Sequence, residues 1–323
     1  MASGNGRSTA CEWFHPGAAR AVGLGVVASA FFAVTFVLNR RMADAHGHWA
    51  WTASLRYLVT APLLVALLAA RRRLPALAAA WRAAPAAWRA WGSVGFSGFY
   101  AAFSLAGALA PAWVVAGSWS VTVVAGVLLA PLLYDDHRRI VPSRALLAGA
   151  VVVAGVLLVQ ARQATRADPR TAAAGLVLVL VAAFAYPLGN RKMMLALERS
   201  GAADVDPFVR VAAMTTGSLP AWLLIAALGW TRAGWPPASQ VAQAAIVGLS
   251  SGIVATALFF AATDRVRTDP LALAAVEATQ AAEVPFALGL EVLLLGTPWP
   301  DPLGSCGLLL IVAGILWCAR ATA

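Results

Sequence analysis

The chain has 323 residues, 61% of them hydrophobic and only 12% charged, with a mean hydropathy of +0.76. A water-soluble protein of this length keeps far more polar surface, so the composition excludes a soluble globular fold and points to an integral membrane protein. The net charge of +10 does not mark a nucleic-acid surface: the basic residues sit in short loops between apolar segments, where retention on the cytoplasmic side explains them.

Residues 1–17 are polar and lack the charged-apolar-small order of a cleaved signal, so a cytoplasmic leader is expected there. Ten apolar segments then follow, at 18–38, 48–70, 91–110, 112–133, 144–161, 172–189, 207–230, 240–262, 270–295 and 303–319. Each is about long enough to cross a bilayer, and in lipid each must be helical to satisfy its own backbone. The fold class expected is therefore an all-α integral membrane protein of ten transmembrane helices. The fourth segment begins directly after the third, at Pro111. Between the second and third, Trp81 and Trp88 recur at a spacing of seven, each followed by Arg. That pattern predicts a segment over 74–90 lying flat at the cytoplasmic headgroups.

The positive-inside rule orients the chain. With the N-terminus inside, 16 of the 24 Lys and Arg fall on the cytoplasmic side, 6 fall opposite, and Arg56 and Arg210 lie within spans. Both termini are thus expected in the cytoplasm of a multi-pass protein of the bacterial inner membrane.

The two halves repeat. LNRRM from Leu38 answers GNRKM from Gly189, LRYL around Arg56 answers VRVA around Arg210, and VGFS from Val94 answers VGLS from Val247. Pro111 answers Pro270, and VAGV from Val153 answers VAGI from Val312; the offsets of 151, 154, 153, 159 and 159 keep their order. A first repeat over 18–161 and a second over 172–320, joined by a linker at 162–171, each hold five helices. An odd number inverts the second half relative to the first, the architecture of secondary transporters.

The ninth segment carries the chemistry. On one continuous helix, Glu277, Gln280, Glu283 and Glu291 fall within about a third of the circumference, with Thr279 at the margin. A polar stripe on an apolar helix reads as a cavity wall. Glu283 lies about 20 Å along the segment, near the midplane, and Pro285 should loosen the turn at Ala281. The bland reading is that the acids neutralise intramembrane arginines, Glu277 with Arg210 and Glu291 with Arg56. Glu283 has no arginine at its depth, and a buried carboxyl without a partner is held as the neutral acid, ready to exchange protons. The corresponding part of the fourth segment offers Ser118 and Trp119, the latter able to stack on a cation. Asn39 and Asn190, after the first and sixth segments, read as helix caps and interfacial anchors. Pro62, Pro131, Pro187 and Pro220 are candidate hinges.

Other motifs carry less. GLSSG (Gly248 to Gly252) fits a hydrolase pattern but sits mid-helix without a base, so it reads as close helix packing. DAHGH (Asp44 to His48) is weak as a metal site. No cofactor is expected, the cysteines form no disulfide framework, and the spans hold no His, Cys or Asp cluster for a membrane enzyme.

FFAVTFVLNRRM with GHWAWTASLRY, PLGNRKMM and AVEATQAAEV resemble the ten-helix, EamA-like branch of the drug/metabolite transporter superfamily, and most closely its multidrug-resistance efflux transporter family, over roughly residues 20–320. The resemblance implies export of small molecules driven by an ion gradient, protons being the expected ion. On that reading Glu283 alternately holds a proton and a cationic or amphipathic substrate, Glu277 and Gln280 line the path, and Arg56 and Arg210 balance its charge. The alternative is an exporter of amino acids or other zwitterionic metabolites. Membrane lipids are the other partner, and GxxxG leaves a homodimer open.

Overall fold

The computed structural model describes residues 16–136, 139–141, 143–164, 168–202, 204–266, 276 and 279–322. All regular structure among them is helical. The first helices are α1 (Pro16–Asp44), α2 (Trp49–Ala70), α3 (Leu74–Ala83) and α4 (Pro85–Gly92). A π segment, Ser93–Gly98, joins α4 to α5 (Phe99–Leu109), and α6 (Ala112–Trp119), α7 (Val121–Leu133), α8 (Ser143–Ala164), α9 (Pro169–Arg199) and α10 (Pro207–Ala233) follow. A second π segment, Gly248–Ala255, joins α11 (Ala238–Val247) to α12 (Thr256–Val266). A 3₁₀ turn, Thr279–Ala282, leads into α13 (Glu283–Leu295), and α14 (Pro302–Thr322) ends the chain. Among the described residues, eight helical stretches are long and apolar enough to cross a membrane, and Pro302–Trp317 is a shorter apolar helix.

Local sequence explains the helix starts. Asp168, Asp206 and Asp301 each precede a proline, and each carboxylate accepts a backbone N–H from the first turn: Thr171 at 3.0 Å, Phe208 at 2.8 Å and Gly304 at 2.8 Å. Aspartate caps the orphan donors and the following proline has no N–H to leave unpaired. The tight break at Pro111 is present, with α5 ending at Leu109 and α6 starting at Ala112.

Several expected boundaries move. α1 runs on to Asp44 and α9 to Arg199, so Asn39 and Asn190 lie inside helices and cap neither. The expected headgroup segment instead forms α3 and the start of the third span, and its tryptophans turn inward. Trp88 is fully buried and donates to the Ala80 carbonyl at 2.7 Å; Trp81 donates to Thr216 Oγ1 at 3.1 Å. The spacing of seven that suggested a lipid-facing side also suits a side facing α10. Pro187 breaks nothing visible: α9 continues through it, and the Ala183 carbonyl that its missing N–H would leave free accepts Thr122 Oγ1 at 3.1 Å.

Packing is close where small residues meet. α8 lies along α14, and a Cβ on Gly155 would stand 2.6 Å from the Gly307 carbonyl oxygen. Gly248 and Gly252 let the second π segment approach Thr60 of α2. The outer surface stays apolar, with Leu132, Leu224, Leu293 and Leu309 exposed, as lipid-facing positions require. Gly155→Val should therefore lower stability by about 2 kcal/mol through overpacking, whereas Leu309→Ala on the lipid face should change it little; thermal melting in detergent compares the two.

Candidate functional site

The site is built around a train of rings and three charged groups. From α2, α4–α5, α6, α9 and α10 come Tyr57, Tyr100, Phe99, Phe103, Trp119, Tyr186 and Trp222. Trp222 stacks on Tyr57 at 4.4 Å, Tyr57 meets Tyr100 at 5.6 Å, and Tyr100 meets Phe103 at 5.9 Å. At the other end, Phe99, Trp119 and Tyr186 touch one another at 4.9–5.7 Å. The first group is buried, but Phe99 and Trp119 are only half-buried. Tyr186 keeps 37% of its surface free although it stands deep in the bundle. These three rings pack on one another and against the core but are only partly covered.

Glu283 is buried at the first position of α13, where the 3₁₀ turn gives way to α-helix. Pro285 sits in that first turn, where its missing N–H costs nothing. Among the described residues no lysine or arginine forms an ion pair with Glu283, whereas Arg40 pairs with Asp44 at 2.7 Å and Arg73 with Asp206 at 3.7 Å. Tyr186 lies within electrostatic reach of Glu283, Arg210 and Arg56 together. The structure thus brings Glu283, Trp119 and the two arginines around one ring cluster.

Other expected site residues stand elsewhere. The 3₁₀ turn interrupts the continuous helix on which the four-residue polar stripe was drawn, and Glu277 lies outside the described residues, together with its expected pairing to Arg210. Thr279 is buried and donates to the Val276 carbonyl, while its own carbonyl accepts Ser29 Oγ at 2.8 Å. Its polar groups hold the break against α1; Gln280 beside it is half-buried. Ser118 accepts Gln160 Nε2 at 2.7 Å, which fastens α6 to α8 away from the rings.

Glu291 does not neutralise Arg56. Its two carboxylate oxygens accept the backbone N–H groups of Ala112 at 3.1 Å and Trp113 at 2.8 Å, capping α6 from another helix. The tight start of α6 after Pro111 leaves no room for a local cap, and a carboxylate is favoured at a helix N-terminus. Arg56 instead donates to Ser251 Oγ at 2.7 Å and lies 4.2 Å over the Tyr100 ring. Arg210 is half-buried with Met194 Sδ at 2.6 Å. Asn39 is buried rather than interfacial, its Oδ1 accepting the Tyr100 hydroxyl at 3.0 Å. Asn190 donates to the Tyr186 carbonyl one turn before it.

The sequence reading passed over the roles of Ser29 and Ser251, which hold the 3₁₀ break and the buried arginine. Their only signal is that they are small hydroxyl residues in apolar spans, where a hydroxyl needs a partner.

The chain matches the family model described as "EmrE: Putative multidrug resistance efflux transporter" over residues 19–323. It belongs to that family. YjlA of Bacillus subtilis, an uncharacterized protein, is 44% identical over 306 residues, covering 92% of this chain and 93% of that one. An uncharacterized 42.1 kDa protein of Shouchella clausii is 42% identical over 270 residues, covering 82% and 70%. A protein solved by crystallography superposes with a TM-score of 0.62 at 18% identity, over 94% of this chain and 98% of its own, which shows a shared fold. The chain is a multi-span membrane protein of a transporter family.

The cap on α6 is testable. Glu291→Ala should destabilise the protein by about 2 kcal/mol, because two N–H groups lose a buried acceptor. Glu291→Gln, which keeps one acceptor oxygen, should cost less; melting in detergent ranks them.

Proposed function

We propose that this protein is a proton-coupled exporter of cationic or amphipathic small molecules in a bacterial cytoplasmic membrane, with both termini in the cytoplasm. The observation that carries it is a buried carboxyl, Glu283, without an ion pair among the described residues, at the break of a membrane helix and beside partly open aromatic rings. A buried acid without a partner is neutral at rest. A substrate cation arriving over Trp119, Phe99 and Tyr186 gains cation–π attraction and supplies the counter-charge that lets Glu283 give up its proton. One carboxylate cannot hold both at once, so binding of substrate expels the proton and return of a proton expels substrate. Gln280, and Glu277 where the path continues, line the cytoplasmic approach.

We also read the bundle as ten helices in two inverted repeats of five. The two π segments, Ser93–Gly98 and Gly248–Ala255, fall at the offset found for VGFS and VGLS. The break between α6 and α7 at Ser120 lies 159 residues before Thr279, the offset found for Pro111 and Pro270. α1 packs on α12 and the second π segment as α9 packs on α5 and the first. Helices interrupted at corresponding points in two halves mark the binding site of rocking transporters.

The test uses a host stripped of its main exporters, expressing the protein or Glu283→Gln at matched levels. Growth in organic cations should be protected by the natural chain and not by the variant. Everted vesicles should show proton release on addition of substrate only with Glu283 present. Full protection by the variant overturns the role given to Glu283, and protection confined to toxic amino-acid analogues overturns the cationic substrate class.

A further inference from the structure

Arg56 is a buried guanidinium whose contacts are all neutral: the Ser251 hydroxyl and the faces of Tyr100 and Tyr57. Among the described residues no carboxylate pairs with it. A buried charge needs an opposite charge or a full set of hydrogen bonds, and the hydroxyls of Ser251 and Tyr100 do not satisfy five donors.

Close by lies a second anomaly. Thr35 Oγ1, Asn39 Nδ2 and Ser104 Oγ are buried and have no hydrogen-bond partner. Thr35 and Asn39 stand one turn apart on α1, and Tyr100 and Ser104 one turn apart on α5, so each pair shares a helix face. The Tyr100–Asn39 hydrogen bond turns those two faces toward each other. Two further contacts set their level. A Cβ on Gly107 would stand 3.4 Å from Asn39 Cβ, and the rings of Phe36 and Phe103 meet at 5.1 Å. In parallel spans this places Thr35 opposite Ser104. Native interiors leave few such atoms unpaired, and here three cluster on either side of the ring that carries Arg56.

We propose that Arg56, with Asn39, Thr35 and Ser104, forms an anion subsite between α1, α2 and α5. Each free group can donate: the amide through Nδ2, the two hydroxyls through their protons, and the guanidinium through its remaining N–H groups. The positive charge sets the sign of the ligand, so a metal cation is repelled where a chloride or a carboxylate is held by charge-assisted bonds. One bound anion resolves both anomalies. What the anion does depends on the exporter reading above: a carboxylate on the substrate would make Arg56 its second pole, opposite Glu283, whereas chloride would be a resident counter-ion.

Binding to the purified full chain in detergent tests this without transport. Sodium chloride and sodium acetate are titrated separately at constant ionic strength. Tryptophan fluorescence is the readout, since Trp222 stacks on Tyr57 beside Arg56. A saturable change is expected with at least one of them. Acetate alone identifies a substrate carboxylate as the source, and chloride identifies an inorganic ion. Arg56→Gln should abolish saturation. Should that variant fail to fold, Thr35→Val with Ser104→Ala leaves the guanidinium in place and should weaken binding by about tenfold or more. Absence of saturation with both salts, or unchanged affinity in the double variant, overturns the subsite. The exporter reading is judged by growth and proton release and this subsite by the titration alone, so failure of one is seen apart from failure of the other.

Discussion

A backbone N–H or C=O that leaves its helix inside a bilayer has no water to turn to, and this protein answers that constraint with side chains from other helices. The Thr279 carbonyl at the 3₁₀ turn accepts a hydrogen bond from the Ser29 hydroxyl of α1. The Ala183 carbonyl that faces Pro187 accepts one from the Thr122 hydroxyl of α7. The first N–H groups of α6 are taken by Glu291 of α13. Each irregularity is therefore also a tether between helices distant in sequence. Breaks in membrane helices are tolerated only where such partners exist, so the positions of Ser29, Thr122 and Glu291 decide where the chain can depart from helix.

The same constraint sorts the charges. Glu291 and Glu283 lie in one helix, eight residues apart, and look equivalent in composition. Two backbone donors hold Glu291 in place, and a carboxylate so bound is a structural part. Among the described residues nothing holds Glu283 in that way. The arginines divide too: Arg56 is enclosed by rings and a serine, while Arg210 is half-buried beside Met194. Two chemically identical pairs thus take four different environments, and only that of Glu291 is set by backbone groups in need of a partner.

Much of the fold was legible because lipid reduces the choices. Long apolar runs must be helices, and the run from 91 to 133 is too long for one crossing, so the segments followed from composition and the tight fourth-span start from length and Pro111. Boundaries were not, since α1 and α9 continue beyond their apolar runs through basic, helix-favouring residues such as Arg40, Arg41 and Arg191 to Ala196. Of the candidate site, Glu283 and Trp119 could be picked out as a charge and a ring in a greasy setting, whereas Tyr186 was not. The partners of Glu291 and Ser118 could not, because a carboxylate that caps a helix 179 residues away in sequence leaves no local pattern. The spacing of Trp81 and Trp88 was real but ambiguous: a single helical side can face headgroups or a neighbouring helix, and only packing against α10 decides.

The position of Glu283 at the start of α13 is itself a physical argument about its charge. Burial among apolar groups opposes the carboxylate, while the N-terminus of a helix favours negative charge by up to about 1–2 kcal/mol in partly buried settings. A continuous ninth helix would have kept only the first term, since mid-helix N–H groups are already bonded. The 3₁₀ turn starts α13 afresh at Glu283, and so supplies the second. On the exporter proposal, the break would offset part of the cost of the charge without fixing it, which a permanent arginine partner would do. That is why the interruption, its tether to Ser29 and the acid occur within five residues of one another.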